Sequence, residues 1–180
     1  MSERVLLDAC VLYPTVMREV VLGAAATGAF APLWSPRILE EWRRAALRLG
    51  EGQGAVASGE IAVLRARWPE AEVAVPEGAA EALWLPDPDD RHVLAAAIAG
   101  RAGTVLTLNL VDFPRRALAP HGVVARHPDE MLAAMAGSPI LAAVEAVRAE
   151  AEQLSGVPWE RRRLLKKARL PRLAKALDRL

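Results

Sequence analysis

The sequence contains a single cysteine, Cys10, among 180 residues. No disulfide can form within the chain, so a packed core must hold it together, and a reducing cytosol is its natural home. Cys10 has no histidine near it in sequence and sits in an apolar start, where a cysteine acts as a small hydrophobe rather than a nucleophile. Long apolar runs are also missing. The longest uncharged stretch, Val20 to Pro36, is interrupted by glycines, Thr27, Pro32 and Ser35 and falls short of a membrane span. Glu3, Arg4 and Asp8 stand where a signal peptide needs an unbroken apolar segment. No internal repeat is visible. Hydrophobic residues make up 53% of the chain, which excludes an intrinsically disordered polymer.

A strong charge of one sign is absent overall, since the net charge is +1, but the charges are unevenly spread. Residues 139–180 carry ten Lys/Arg against five Asp/Glu, while residues 1–138 carry 13 basic and 17 acidic side chains. An acidic body with a basic tail suggests a cation site in the first part and a polyanion contact, or a solvated helical face, in the second.

The order of elements is that of an α/β protein. Val5, Leu6 and Leu7 predict a buried first strand over residues 4–8 that ends on Asp8. Residues 15–27 read as a helix stopped by Gly28, and residues 30–34 as a strand or extended link. Ser35-Pro36 opens a helix to about Leu49, with Ser as N-cap and Pro at the first helical position. Residues 52–59 read as loose and glycine-rich, residues 61–68 as helix, residues 72–75 as an edge strand and residues 78–84 as a helical turn. A helix from the Asp87–Asp90 segment to about Gly100 is followed by a strand over residues 104–108 and a short one over residues 123–125. Residues 128–135 form a further helix. Residues 138–180 read as two or three helices broken at Gly156-Val157-Pro158 and at Pro171. Strands alternating with helices predict a parallel sheet.

Four acids converge on the strand ends of this layout. Asp8 stands at the tip of the first strand, where open parallel sheets place ligands, although Asp also caps turns and helices. Glu41 lies roughly 60° from Ile38, at the edge of the apolar stripe of Ile38, Trp42, Ala45 and Leu49, while Glu40 points roughly 160° away. The alternative for Glu41 is a pair with Arg44 or Arg48 on the same helix. Asp87, Pro88 and Asp89 fit a helix start, but Asp90 falls in the apolar stripe of Val93, Leu94, Ala97 and Ile98, a costly position for an unpaired carboxylate. Asn109 and Asp112 follow the strand of residues 104–108, where both also favour Asx turns. Oxygen donors without histidine suit Mg2+ or Mn2+ rather than zinc, and carboxylate-held Mg2+ serves phosphate-ester chemistry.

These residues resemble those of the PIN-domain nucleases, specifically the ribonuclease toxins of VapC-type toxin–antitoxin pairs. The resemblance rests on Leu6-Leu7-Asp8, on Ser35 to Trp42, on Asp90-Arg91-His92-Val93-Leu94-Ala95-Ala96-Ala97 and on Thr107 to Phe113, and covers roughly residues 4–136. It implies a Rossmann-like three-layer α/β/α fold with a central parallel sheet. It implies a Mg2+/Mn2+-dependent endoribonuclease acting on tRNA or ribosomal RNA, an antitoxin protein that blocks the site, and a homodimer. It places Asp8, Glu41, Asp90 and Asp112 in the acidic quartet, with Asp8, Asp90 and Asp112 on the metal. Asn109 matches a polar position beside the last acid and Thr107 a hydroxyl that helps hold the first.

The chain departs from the family in two respects. Residues 138–180 extend beyond the usual domain, residues 1–137, and resemble a subgroup with a basic helical C-terminal extension. Asp89 also competes with Asp90 for the third acidic position.

RNA contacts are expected from Arg18, Arg37, Arg91 and Arg115 near the cleft, and from Arg161, Arg162, Arg163, Lys166 and Lys167 in the tail. His92 reads as surface-turned, and nothing brings His121 to the cleft. The alternative reading is a non-catalytic PIN-like scaffold that binds RNA or a partner. A haloacid-dehalogenase-type phosphatase needs a second Asp where Cys10 stands, and a DNA nuclease of PIN-like fold is the remaining rival.

Overall fold

The structure, a computed structural model, describes residues 2–180. Its centre is a four-stranded, all-parallel sheet in the order β2-β1-β3-β4, made of β1 (Glu3–Leu7), β2 (Phe30–Leu33), β3 (Thr104–Leu106) and β4 (Val124–Arg126). A parallel sheet is covered on both faces, so its central strands are continuous apolar runs. Val5, Leu6 and Leu7 of β1 and Val105 and Leu106 of β3 are accordingly fully buried. Pro32 has no N–H to donate to a ladder, and it sits in β2, an edge strand of the sheet.

Among the described residues, ten α-helices accompany the sheet: α1 (Ala9–Leu12), α2 (Thr15–Ala26), α3 (Pro36–Leu47), α4 (Glu51–Arg67), α5 (Arg91–Ala99), α6 (Arg115–Leu118), α7 (Pro128–Ala134), α8 (Ser138–Ser155), α9 (Arg161–Lys167) and α10 (Pro171–Leu177). This is the parallel α/β architecture with helical layers and a helical C-terminal region that the alternation of elements predicts. Ser35 caps α3 as expected, its Oγ accepting from the Ile38 N–H at 3.3 Å.

The local departures have physical causes. Residues 52–59 are not a loose linker; they form the first half of α4. Ala57, Ile61 and Leu64 are buried at helical spacing and pack this helix against α3, so packing overrides the low helix propensity of glycine. At Gly54 a Cβ would meet the tip of the Leu47 side chain, which would have to shift. The expected strand at residues 72–75 is reduced to an isolated parallel bridge between Trp34 and Glu72. Residues 78–84 make turns without a helix. The acidic start of α5 is a separate 3-10 turn, Pro88–Asp90.

The C-terminal helices pack back onto the rest of the fold. Helix α8 lies along α2, where Gly23 lets Ala143 approach closely, and Ile140 and Val144 are buried. Helix α10 lies on α7 through Leu173 and Leu177. Asp129 of α7 is itself buried, and its carboxylate accepts the Arg172 and Leu173 N–H groups, both at 2.9 Å. It therefore serves as an N-terminal cap for a helix more than 40 residues away in sequence.

Candidate active site

The chain leaves β1 toward β2 on one side and reaches β3 on the other, so the sheet order reverses between β1 and β3. The crevice beyond the carboxyl ends of those two strands is the usual ligand position of an open parallel sheet. Asp8 follows β1 directly and Asp112 ends a 3-10 turn, Leu110–Asp112, just after β3. Asp90 precedes α5, the helix that leads into β3, and Glu41 is in the second turn of α3, which follows β2.

Asp8 stands at the N-cap position of α1, yet its side chain makes no capping bond. Its carboxylate, only 6% exposed, is turned toward β3 instead. Oδ2 accepts from Thr107 Oγ1 at 2.7 Å and from Cys10 Sγ at 3.1 Å. Thr107 Oγ1 in turn accepts the Asn109 N–H at 3.1 Å, and Cys10 Sγ accepts the Leu108 N–H at 3.3 Å. These bonds stitch the ends of β1 and β3 together and hold one carboxylate oxygen in place. The second oxygen accepts no hydrogen bond among the described residues.

The three aspartates of the 87–90 segment separate by role. Asp87 Oδ1 accepts the Asp89 N–H at 2.9 Å and caps the 3-10 turn, while Asp89 is exposed. Asp90 makes no capping bond and is partly buried. Its pKa is pushed up to about 6, first by burial and then by the negative charges of Asp8, Asp87 and Asp112, against a smaller opposing effect of His92. The negative charges of Asp8 and Asp112 both reach Asp90, and Asp89 is exposed.

Residues 4–110 of the chain match the PIN domain family. The chain belongs to the PIN domain family. The matched segment holds Asp8, Glu41, Asp90, Thr107 and Asn109, and ends two residues before Asp112. A stretch of 43 residues, 24% of this chain, is 54% identical to a protein of Mycobacterium tuberculosis (strain ATCC 25618 / H37Rv) named "Putative ribonuclease VapC50", of which it spans 25%. The chain thus matches about a quarter of that relative's length. No solved structure gave a significant match.

Glu41 of this PIN domain, about one-third exposed, pairs with neither Arg44 nor Arg48. Its Oε1 lies 2.6 Å from His92 Nε2 and 3.9 Å from Arg37 Nε. Arg43 and Arg44 bind Glu40 instead and hold its carboxyl down at about 2. His92 is not surface-turned: it is 5% exposed, because α5 is buried on nearly its whole circumference. The Glu41 oxygen sits off the line of the ring N–H, so neither imidazole nitrogen has a well-aligned hydrogen bond. His92 also lines a groove of about 410 Å³ with Ser35, Arg37, Val75 and Glu81. A larger groove of about 480 Å³, between α2 and α4, contains none of the quartet.

Two further expectations change in three dimensions. Arg18 is buried, donating to the Leu12 carbonyl at 2.8 Å and to Glu60 at 3.0 Å, with its guanidinium 4.5 Å from the Trp42 ring centroid. It braces α2 against α3 and α4 and is not free to meet a phosphate. In the tail, Arg161 is committed to Glu145 and Asp178; Arg162, Arg163, Lys166 and Lys167 are exposed, with Arg162 also 3.4 Å from Asp178. Arg163 and Lys167 pack over the Trp159 ring at 5.7 and 4.9 Å.

Cys10 is a site residue that sequence reasoning set aside. Burial pushes its thiol up to about 12, and the Asp8 charge adds to this, so it serves as a neutral donor to Asp8. Its position two residues after Asp8 was the available signal.

The donor chemistry fits a hard divalent cation: oxygen atoms only, like charges in mutual repulsion, and one carboxylate pre-oriented by Thr107 and Cys10. Among the described residues no three His, Cys, Asp or Glu side chains already converge on one point. The site as it stands has the charge and the ligand types for such an ion without a closed coordination shell.

Proposed function

We propose that this protein is a metal-dependent endoribonuclease that hydrolyses RNA phosphodiester bonds, and that it is the toxin of a toxin–antitoxin pair. The observation that carries the reading is the coupling of Asp8, Asp90 and Asp112 at the β1/β3 crevice of a PIN domain. The name of the mycobacterial relative supports ribonuclease chemistry.

Asp8, Asp90 and Asp112 supply the oxygens that would hold Mg2+ or Mn2+, and the ion when bound supplies positive charge against the scissile phosphate and activates water. Thr107 and Cys10 orient the Asp8 carboxylate. Glu41, beside His92, positions the attacking water and takes its proton. Asn109, exposed next to the site, offers a polar contact to the substrate. The substrate is tRNA or ribosomal RNA, the antitoxin covers the acidic crevice, and the toxin works as a homodimer. Residues 1–137 form the nuclease domain and residues 138–180 a basic extension, in which Arg162, Arg163, Lys166 and Lys167, with Arg161 in a supporting place, follow the RNA backbone.

The second reading is a PIN-like scaffold that binds RNA or a partner without cutting. Incubation of cellular RNA with purified protein in Mg2+ or Mn2+, in EDTA, and beside Asp8→Asn separates the two. Discrete metal-dependent fragments that vanish in the variant are expected. RNA left intact by a folded protein with either ion establishes the scaffold.

A further inference from the structure

The acidic crevice presents RNA with repulsion, so substrate must gain affinity from groups at its rim. The segments next to Asp90 and Asp112 carry exposed aromatic, apolar and cationic side chains. Trp84 is 53% exposed, although Trp34 and Trp42 are fully buried, and it sits one residue before Leu85, which is buried and anchors the segment. The Arg116 guanidinium lies over the Trp84 ring, 5.2 Å from its centroid. This contact joins two separate segments, the one leading to Asp90 and the one leaving Asp112. Between Asn109 and Asp112, Leu110 and Val111 are also exposed, Val111 by 82%.

Chain geometry bounds the distances. Trp84 lies six positions before Asp90 and Arg116 four positions after Asp112, so their Cα atoms lie within roughly 20 Å and 14 Å of those acids. The pair therefore lies within the span of a few nucleotides from the acids. A nucleobase has a π-face and no charge of its own, so it can stack on an exposed indole beside a carboxylate cluster that repels phosphate. The stacked guanidinium meets the adjoining phosphate, which an apolar protein helix would not use.

We propose that Trp84 and Arg116 form a base-stacking subsite that holds one unpaired RNA nucleobase at the edge of the crevice. This deepens the ribonuclease reading and rests on it. Trp84 is a positioning residue: it sets which phosphate enters the site and takes no part in the chemistry. Stacking reads the π-face and not the base edge, so the subsite prefers single-stranded RNA with little sequence preference of its own.

The test uses the full-length protein in an Asp8→Asn background, so that RNA is bound without being cut. Binding of a fluorescein-labelled single-stranded RNA is measured by anisotropy over a series of salt concentrations. Trp84→Ala and Trp84→Leu are expected to weaken binding about 5- to 100-fold by the same factor at every salt concentration. Trp84→Phe keeps most of the affinity, and the tryptophan quenching that accompanies RNA binding falls in that variant. Trp84→Leu retains apolar bulk in an exposed position and controls for folding, checked by an unchanged melting curve. Binding by Trp84→Leu equal to that of the parent overturns the subsite alone. A loss confined to low salt also overturns it, in favour of a purely electrostatic role of Arg116. Absence of RNA binding in the Asp8→Asn parent overturns both the subsite and the ribonuclease reading.

Discussion

Asp90 is held at a cost in the metal-free chain. Its folded pKa of about 6 lies above the ordinary Asp value, because burial and three neighbouring carboxylates disfavour its charge. The folded state therefore binds the proton more tightly than the unfolded state. This contribution to stability is fully present near pH 4 and is lost as pH rises through 6. In EDTA, Asp90→Asn should melt several degrees higher than the parent at pH 7.5, a gain of about 1–2 kcal/mol after allowance for solvent screening. Mg2+ or Mn2+ should raise the melting temperature of the parent and leave the variant nearly unmoved. Calorimetry at pH 5 and 7.5 checks both; a variant less stable than the parent in EDTA would mean that Asp90 is held by favourable contacts rather than opposed by its neighbours.

At the scale of the element, the C-terminal helices depend on a few cross-chain contacts. Asp129 accepts two N–H groups of α10, and no residue within the helix can replace it. Asp129→Ala leaves the buried Leu173 N–H, and the partly buried Arg172 N–H, without their partner, a loss of about 1–3 kcal/mol. Packing of α10 on α7 then weakens before the sheet does. Limited proteolysis should cut Asp129→Ala first near the α9–α10 junction, around Arg169 and Leu170, under conditions in which the parent survives. The same elements show why residues 52–59 misread as a linker. Glycine content describes propensity, and Ala57, Ile61 and Leu64 bury against α3 regardless.

At the scale of the whole molecule, charge is segregated between an acidic site and a basic tail. In α9 Arg162, Arg163, Lys166 and Lys167 are exposed, and Arg163 and Lys167 stack on the Trp159 ring. In the proposed ribonuclease their contacts with RNA would act through phosphate, so replacing all four by Gln should lower affinity and reduce the slope of log Kd against log salt by up to about 3–4 units. Anisotropy titrations at several salt concentrations give that slope directly. An unchanged slope would place the RNA path away from the tail. No helix among the described residues is long and apolar enough to cross a membrane.

What the sequence determined by itself is what depends on local pattern. The parallel alternation, the Ser35 cap, the buried run of Val5 to Leu7 and the misfit of Asp90 on an apolar stripe all follow from periodicity and short-range chemistry. Which acids share a field was decided by the tertiary structure. Sequence spacing could not bring Asp8 to Thr107, 99 residues away, nor seat His92 against Glu41. It also could not show that Arg18 is consumed inside the fold or that Asp129 caps α10. Those facts depend on which strands become neighbours and which helix faces meet, and such long-range choices are made by burial of the whole core rather than by any one stretch of the chain.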